Sequence, residues 1–390
     1  MDYDQKIEIE PRKFVAPEYI FGADARKMAI NYVKKLGGEK ILLVTDGGLL
    51  QTPWIKEIED DLQLNEIDYI IFHDISPNPR DNEVVLGVNV YENENCNLIL
   101  AIGGGSVLDC AKGIGIVATN KQPIECFEGV DKIKTPIPPL VCIPTTSGTS
   151  ADVSQFAIIN REKERYKMAI ISKATVPDVA LIDPVVLTTM SKSLTVFTGM
   201  DALSHAFEAY VSNASSAFTD LYALEAIKII NSSLKNSVDN PNDIQLRAKT
   251  MLASLYAGLA FSNASLGCVH SLAHSLGGFL DLPHGECNAI LLPHVVDYNF
   301  YQAKEKYIKI AQLLNLNIDS DDEAKAKRSL IEYLRNVQLS LGVDPFLKKR
   351  GVSPDIITAL AEKAYNDPCN ATNPREPKKS DLQAIYLQAL

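Results

Sequence analysis

Asn97-Leu98-Ile99-Leu100-Ala101-Ile102-Gly103-Gly104-Gly105-Ser106-Val107-Leu108-Asp109-Cys110-Ala111-Lys112 is the stretch that decides the first half of this chain. An unbroken apolar run ending in glycines reads as a strand covered on both faces, as in a parallel sheet. The helix after the glycine turn is expected to start at Val107. Strand, glycine turn and helix N-terminus form a phosphate cradle: glycines admit close backbone approach, while free N–H groups and the helix dipole face the anion. The turn matches neither Gly-x-Gly-x-x-Gly nor the lysine-bearing phosphate loop. A tight strand–helix turn is therefore the alternative reading of Gly103, Gly104, Gly105 and Ser106.

The same alternation extends outward on both sides. Upstream, residues 13–22 suggest a short β segment, followed by a helix to about Leu36 that Gly37-Gly38 ends. A buried strand over Lys40–Asp46, a helix over 53–64, a strand over Asp68–Phe72 and a helix over 81–94 come next. Asp46 stands at a strand's carboxyl end, where doubly wound sheets place ligand-binding residues. Its carboxylate would accept hydrogen bonds from an adenosine ribose and repel a 2′-phosphate, or else cap the next helix. His73-Asp74 follows a strand without matching partner ligands and is set aside as a metal pair. Downstream, the strand Leu140–Ile143 runs into Pro144-Thr145-Thr146-Ser147-Gly148-Thr149-Ser150. This hydroxyl-rich loop suits a pyrophosphate or nicotinamide, or is a plain turn. Segments 153–159 and 166–171 read as a hairpin, and Val179–Ile182 as the last strand. The expected N-terminal domain, residues 1–187, is α/β with a mostly parallel Rossmann-like sheet.

From about Met190 onward no strand pattern remains. Apolar residues recur at helical spacing through 218–239, 244–262, 286–301, 304–315, 322–341 and 354–365. Residues 188–390 are thus expected to form an all-α domain. Four of the six histidines lie here, between Gly199 and His284. Asp201 and His205 are four residues apart and share a helix face, as do His270 and His274. His284 follows a Gly277-Gly278 break and Pro283, which suits a helix end turning back toward the same point. A carboxylate and imidazoles converging from several helices build divalent metal sites, whereas a single such pair is often only solvated or capping.

Composition narrows the classes. The 390 residues are 46% hydrophobic and 22% charged, with a net charge of −11, which argues against nucleic acid and anionic membrane as partners. No apolar run reaches the roughly 18 residues of a membrane span. The polar, acidic Met1-Asp2-Tyr3-Asp4-Gln5-Lys6 does not read as a secretory signal. Seven scattered cysteines without Cys-x-x-Cys read as reduced thiols, so a cytoplasmic location is expected.

The chain resembles the iron-dependent (group III) alcohol dehydrogenases, the family of lactaldehyde reductase, 1,3-propanediol dehydrogenase and butanol dehydrogenases. The resemblance rests on Pro77-Asn78-Pro79, Gly103 to Lys112, Pro144 to Thr149, Gly199 to His205, His270 to His274, Pro283-His284-Gly285 and Thr372-Asn373-Pro374-Arg375. Many relatives carry Pro-Ile where this chain has Val107-Leu108. The resemblance implies a dehydroquinate synthase-like architecture and metal ligands Asp201, His205, His270 and His284. It places His274 beside the nicotinamide, and dinucleotide contacts at Asp46, Asn78, Gly104, Gly105, Ser106, Thr145, Thr146, Phe156 and Lys167. It implies NAD and Fe2+, with Zn2+ also suited to the ligand set. The implied activity is reversible hydride transfer between NAD(H) and a small primary alcohol or diol, by a homodimer or larger homo-oligomer. A zinc-binding glycerol dehydrogenase of the same architecture is the nearer alternative, a non-catalytic nucleotide or metal sensor the more distant one.

Overall fold

The computed structural model describes residues 11–318 and 322–390. The first six residues, read above for a signal, lie outside this range. The strands are β1 (Glu18–Phe21), β2 (Lys40–Val44), β3 (Asp68–Phe72), β4 (Leu98–Gly103), β5 (Gly129–Val130), β6 (Leu140–Pro144), β7 (Phe156–Arg161), β8 (Tyr166–Ile171) and β9 (Val179–Ile182). Between them run α1 (Ala29–Lys35), α2 (Pro53–Leu64), α3 (Asp81–Asn93) and α4 (Gly105–Asn120). After β9 the described chain is helical: α5 (Lys192–Val211), α6 (Ala217–Asp239), α7 (Ile244–Ala264), α8 (Cys268–Leu280), α9 (His284–Asn299), α10 (Lys304–Leu313), α11 (Glu323–Ser340), α12 (Ile357–Tyr365) and α13 (Lys379–Gln388).

Six strands form one parallel sheet in the order β1-β9-β6-β4-β2-β3. The central strands β2 and β4 are buried over Ile41–Val44 and Leu98–Gly103, which explains their apolar runs. From β2 the chain steps outward to β3; from β4 it steps the other way to β6 and β9. The strand order therefore reverses between β2 and β4, and the loops beginning at Asp46 and Gly103 flank that switch point. Open α/β sheets bind ligands in the crevice outside such a point. A smaller sheet, β5-β8-β7, carries the expected hairpin as an antiparallel β7–β8 pair.

Several local expectations shift. The β7 strand begins at Phe156, not Val153, because Val153 and Ser154 both donate to the Ser150 carbonyl in a turn. The helix after the glycine turn begins at Gly105, two residues before Val107, so Ser106 lies in its first turn. The Gly277-Gly278 pair does not break α8, which continues to Leu280. The two glycines instead let α8 lie on β8: a Cβ at Gly278 would stand 2.6 Å from the Tyr166 backbone, and one at Gly277 2.9 Å from the Lys167 side chain. The C-terminal α13 has no counterpart among the expected helices. Among the described residues no single helix is long and apolar enough to cross a membrane. All seven cysteines are unpaired.

Candidate metal and cofactor site

Three helices deliver the chemistry. The middle of α5 is buried on every side, between α6, α7 and α9. Its Asp201 and His205 are 2% and 3% exposed, and buried polar groups of this kind require partners. His270 and His274 come from the first two turns of α8. Asn373, from the Thr372-Asn373-Pro374-Arg375 stretch, accepts a hydrogen bond from Cys268 N at 3.1 Å and so fixes where α8 starts. His284 is the first residue of α9. The glycine after it admits the approach of α9 to α5, since a Cβ at Gly285 would stand 2.3 Å from the Phe197 carbonyl oxygen.

These side chains converge on one point. Asp201 Oδ1 lies 3.9 Å from His205 Nε2, 3.8 Å from His270 Nε2 and 3.6 Å from His284 Nε2. All four donor atoms fall within 4.8 Å of one another. Tetrahedral ligands held at about 2.1 Å from a metal stand roughly 3.4 Å apart, so the spacing fits a divalent cation after small side-chain shifts. Asn288, one turn after His284, directs its amide nitrogen to the same point: 2.7 Å from Asp201 Oδ1 and 3.1 Å from both His270 Nε2 and His284 Nε2. With both imidazole Nε2 atoms in their acceptor form, the two hydrogens of this amide satisfy at most two of three lone pairs that face one another, an arrangement suited to a cation.

The electrostatics follow from burial and charge. Burial alone would raise the Asp201 carboxyl, but the neighbouring imidazoles outweigh it and hold the group far below its usual range. Burial pushes His205 down to about 3, and also lowers His284. For His270 burial acts the same way, yet Glu208 and Asp201 together lift it to about 9. Two carboxylates stand behind histidines without having been singled out in the sequence. Glu208 Oε2 lies 2.5 Å from His270 Nδ1, and Asp367 Oδ2 lies 2.8 Å from His274 Nδ1. Glu208 could have been found as the i+7 neighbour of Asp201 on the same helix face, and Asn288 as the i+4 neighbour of His284. Asp367 lies 93 residues from His274 and left no local signal.

Next to the cluster a cavity of about 100 Å³ runs toward the sheet. Asn78, Gly105, Ser106, Phe156, Lys167 and His274 all line it, together with His205, His270 and His284. The glycine turn and the hydroxyl-rich loop pack on each other: a Cβ at Gly105 would stand 2.6 Å from Thr149 Oγ1, and one at Gly104 3.1 Å from Thr146 Cγ2. Thr145 N donates to the Gly103 carbonyl at 2.9 Å. Thr145, Thr146, Gly103 and Gly104 thus belong to the strand-end rim beside the cavity rather than to its wall. Asp46 also stands on the rim, and its Oδ1 accepts from Gly48 N and Leu49 N at 2.8 and 3.0 Å. These bonds close its own turn, while Gly48 and Thr52 are the N-cap residues of the helical segments that follow; Asp46 Oδ2 makes no hydrogen bond among the described residues. Asn78 donates to Asp281 Oδ1 at 2.7 Å, which ties the Pro77-Asn78-Pro79 turn to the end of α8. Burial lowers the Lys167 ammonium, which has no ion-pair partner among the described residues. His73 and Asp74 are exposed at the surface and belong to no cluster of ligand atoms among the described residues.

Comparison with known proteins gives one answer along the chain. Residues 16–184 match the family model for iron-containing alcohol dehydrogenase, and residues 195–390 the model for the C-terminal part of the Fe-containing alcohol dehydrogenase family. The NAD-dependent methanol dehydrogenase of Bacillus methanolicus is 37% identical over 97% of this chain and 99% of its own length. The 1,3-propanediol dehydrogenase of Citrobacter freundii is 37% identical over 95% and 96%. Among solved structures, a 1,3-propanediol oxidoreductase superposes with a TM-score of 0.94 at 36% identity, covering 98% of this chain and all of that one.

Proposed function

Since the chain belongs to the iron-containing alcohol dehydrogenase family, we propose which of its residues carry that family's chemistry, and on what substrates. The protein is a metal-dependent alcohol dehydrogenase that transfers hydride between a small alcohol and NAD(H). Asp201, His205, His270 and His284 hold the divalent cation; their convergence from three helices at the wall of the cleft is the observation that carries the reading. The cation supplies Lewis-acid polarisation of the reacting carbon–oxygen bond. Gly103, Gly104, Gly105 and Ser106, with Thr145 and Thr146, offer backbone and hydroxyl donors to the pyrophosphate at the switch point. Asp46, Asn78, Phe156 and Lys167 complete the dinucleotide site.

His274 acts on the proton. Its Nδ1 is bonded to Asp367, which leaves Nε2 toward the cavity for proton exchange with solvent. Phe156, Ile158, Phe261 and Leu266 make the cavity apolar beside the histidines, which keeps water from the reacting carbon and favours short-chain primary alcohols or diols. In His274→Ala we expect the shape of the pH–rate profile to change. An unchanged profile would sink the relay role.

Both Fe2+ and Zn2+ suit three imidazoles and one carboxylate, and occupancy then follows supply as well as affinity. The deciding experiment adds back Fe2+ anaerobically, or Zn2+, to chelated protein and assays ethanol, 1-butanol, 1,2- and 1,3-propanediol and glycerol with NAD+. Restoration by Fe2+ with simple alcohols or 1,3-propanediol preferred supports the reading; restoration by Zn2+ with glycerol preferred replaces it with a glycerol dehydrogenase. We further take the working unit to be a homo-oligomer located in the cytoplasm. β1 is an edge strand, and beside it Phe14 stacks on Tyr222 while Phe218 is 66% exposed. Light scattering and cell fractionation test these two points.

A further inference from the structure

The three imidazoles of the cluster are not equivalent. Among the described residues neither His205 Nδ1 nor His284 Nδ1 has a hydrogen-bond partner, though the Gly148 backbone stands close to His205. His270 Nδ1 alone is taken, by Glu208. Glu208 lies seven residues after Asp201 on α5, so Asp201, His205 and Glu208 occupy one face of that helix. It is 4% exposed. Its second oxygen, Oε1, accepts from Val269 N at 2.6 Å in the first turn of α8, where unsatisfied N–H groups favour a negative charge. Both carboxylate oxygens are therefore committed to the helix that carries His270. Among the described residues no lysine or arginine pairs with Glu208; its only ion-pair partner is His270.

A buried carboxylate without a cation of its own is costly, so its charge must be answered nearby. Asp201 and Glu208 are the carboxylates in direct contact with the cluster, and a divalent cation there would answer their charge. We propose that Glu208 is a positioning residue for the metal centre: acting through His270, it fixes the ring with its proton on Nδ1 and its lone pair on Nε2 toward Asp201, and so sets how tightly the cation is held. This rests on the metal reading of the four ligands given above. Carboxylates placed behind a ligating histidine typically change metal affinity by about 10–100-fold.

The geometry makes Glu208→Gln informative. Its amide has one acceptor and one donor end. Val269 N–H claims the oxygen, so the amide NH2 faces His270 Nδ1 and favours the ring with its proton on Nε2, the wrong form for a ligand. Dissociation constants for Zn2+ and Co2+ are measured by chelator competition on the full chain, with the Co2+ visible spectrum, the melting temperature of the metal-free protein and NADH binding recorded in parallel. For Glu208→Gln we expect roughly 10–100-fold weaker metal binding and an altered Co2+ spectrum, with the metal-free melt and NADH affinity close to wild type. Glu208→Asp keeps the charge and should fall between the two. Wild-type metal affinity in Glu208→Gln overturns the proposal, as does a loss that only tracks a lower metal-free melting temperature. If Glu208→Gln does not fold, wild-type affinity in Glu208→Asp overturns it instead, because the shorter carboxylate cannot reach both His270 Nδ1 and Val269 N. A wild-type protein that retains no divalent ion would instead refute the four-ligand site itself.

Discussion

The strand-end rim and the histidine cluster border the same cavity but are built by opposite means. The rim is mostly backbone: the Gly103–Ser106 turn at the start of α4, the Thr145–Thr149 loop packed on it, and Asp46 curled over its own loop. The segments that meet there leave adjacent strands of one sheet, so β pairing alone brings them together. The cluster is side chain: one carboxylate and three imidazoles from α5, α8 and α9, held by Glu208 and Asn288. The rim should therefore be sensitive to added bulk and tolerant of altered charge, and the cluster sensitive above all to loss of its polar side-chain atoms.

The largest effect is expected in the cluster. On the proposed metal site, His270→Ala removes a ligand, and it leaves Glu208 buried without its ion-pair partner. Metal content after dialysis should fall more than about 100-fold, beyond the loss typical of a supporting residue, while NADH binding persists. Retained stoichiometric metal would break the contrast. On the rim, Gly105→Val drives two methyl groups into Thr149 and displaces the start of α4. Overpacking of this kind costs about 1–3 kcal/mol, so NADH affinity should drop roughly 10- to 100-fold with metal content unchanged. A variant that lost metal instead would show the two regions to be one unit. Asp46→Gly is milder: NADPH use should rise roughly tenfold relative to NADH, with kcat for NADH little altered. Unchanged cofactor preference would remove Asp46 from the dinucleotide site.

The smallest effect lies outside both regions and serves as their control. His294 on α9 is held down to about 4, mainly by burial and then by Arg335, from an ordinary imidazole value of 6.5. Such a group takes up its proton on unfolding, so its contribution is complete above 6.5 and is lost as pH falls toward 4. The loss is at most about 1.4 kcal/mol per pH unit in that window. His294→Gln should narrow the difference in melting temperature between pH 7 and pH 5 by roughly 2 °C, without touching metal content. An unaltered difference would mean that His294 is not held neutral in the folded chain.

What could be read beforehand follows the same division. The central strands were legible because burial on both faces demands continuous apolar residues, and the helices of the second half because one face must be apolar every third or fourth residue. Local chemistry misled where a residue's reason was remote. Gly277 and Gly278 look like a helix end, but they exist to let α8 pass over Tyr166 and Lys167, more than a hundred residues earlier. Asp46 left two readings open, and its bonds to Gly48 N and Leu49 N appear only in the folded turn. The α13 helix carries too weak a periodic pattern to stand out, and Asp367 has no spacing that would link it to His274.

By itself, then, the sequence determined the alternation of strands and helices, the glycine turn at a strand's carboxyl end, and two pairs of carboxylate or imidazole side chains at helical spacing, Asp201/His205 and His270/His274. Those are consequences of periodicity and of contacts within a few residues. Only the tertiary structure decided that strand order reverses between β2 and β4, that His284 arrives at Asp201 from a third helix, and that a buried carboxylate stands behind His270 but not behind His205 or His284. Those depend on how helices pack, and the packing is set by close approaches such as that of Gly285 to Phe197, between residues far apart in the chain.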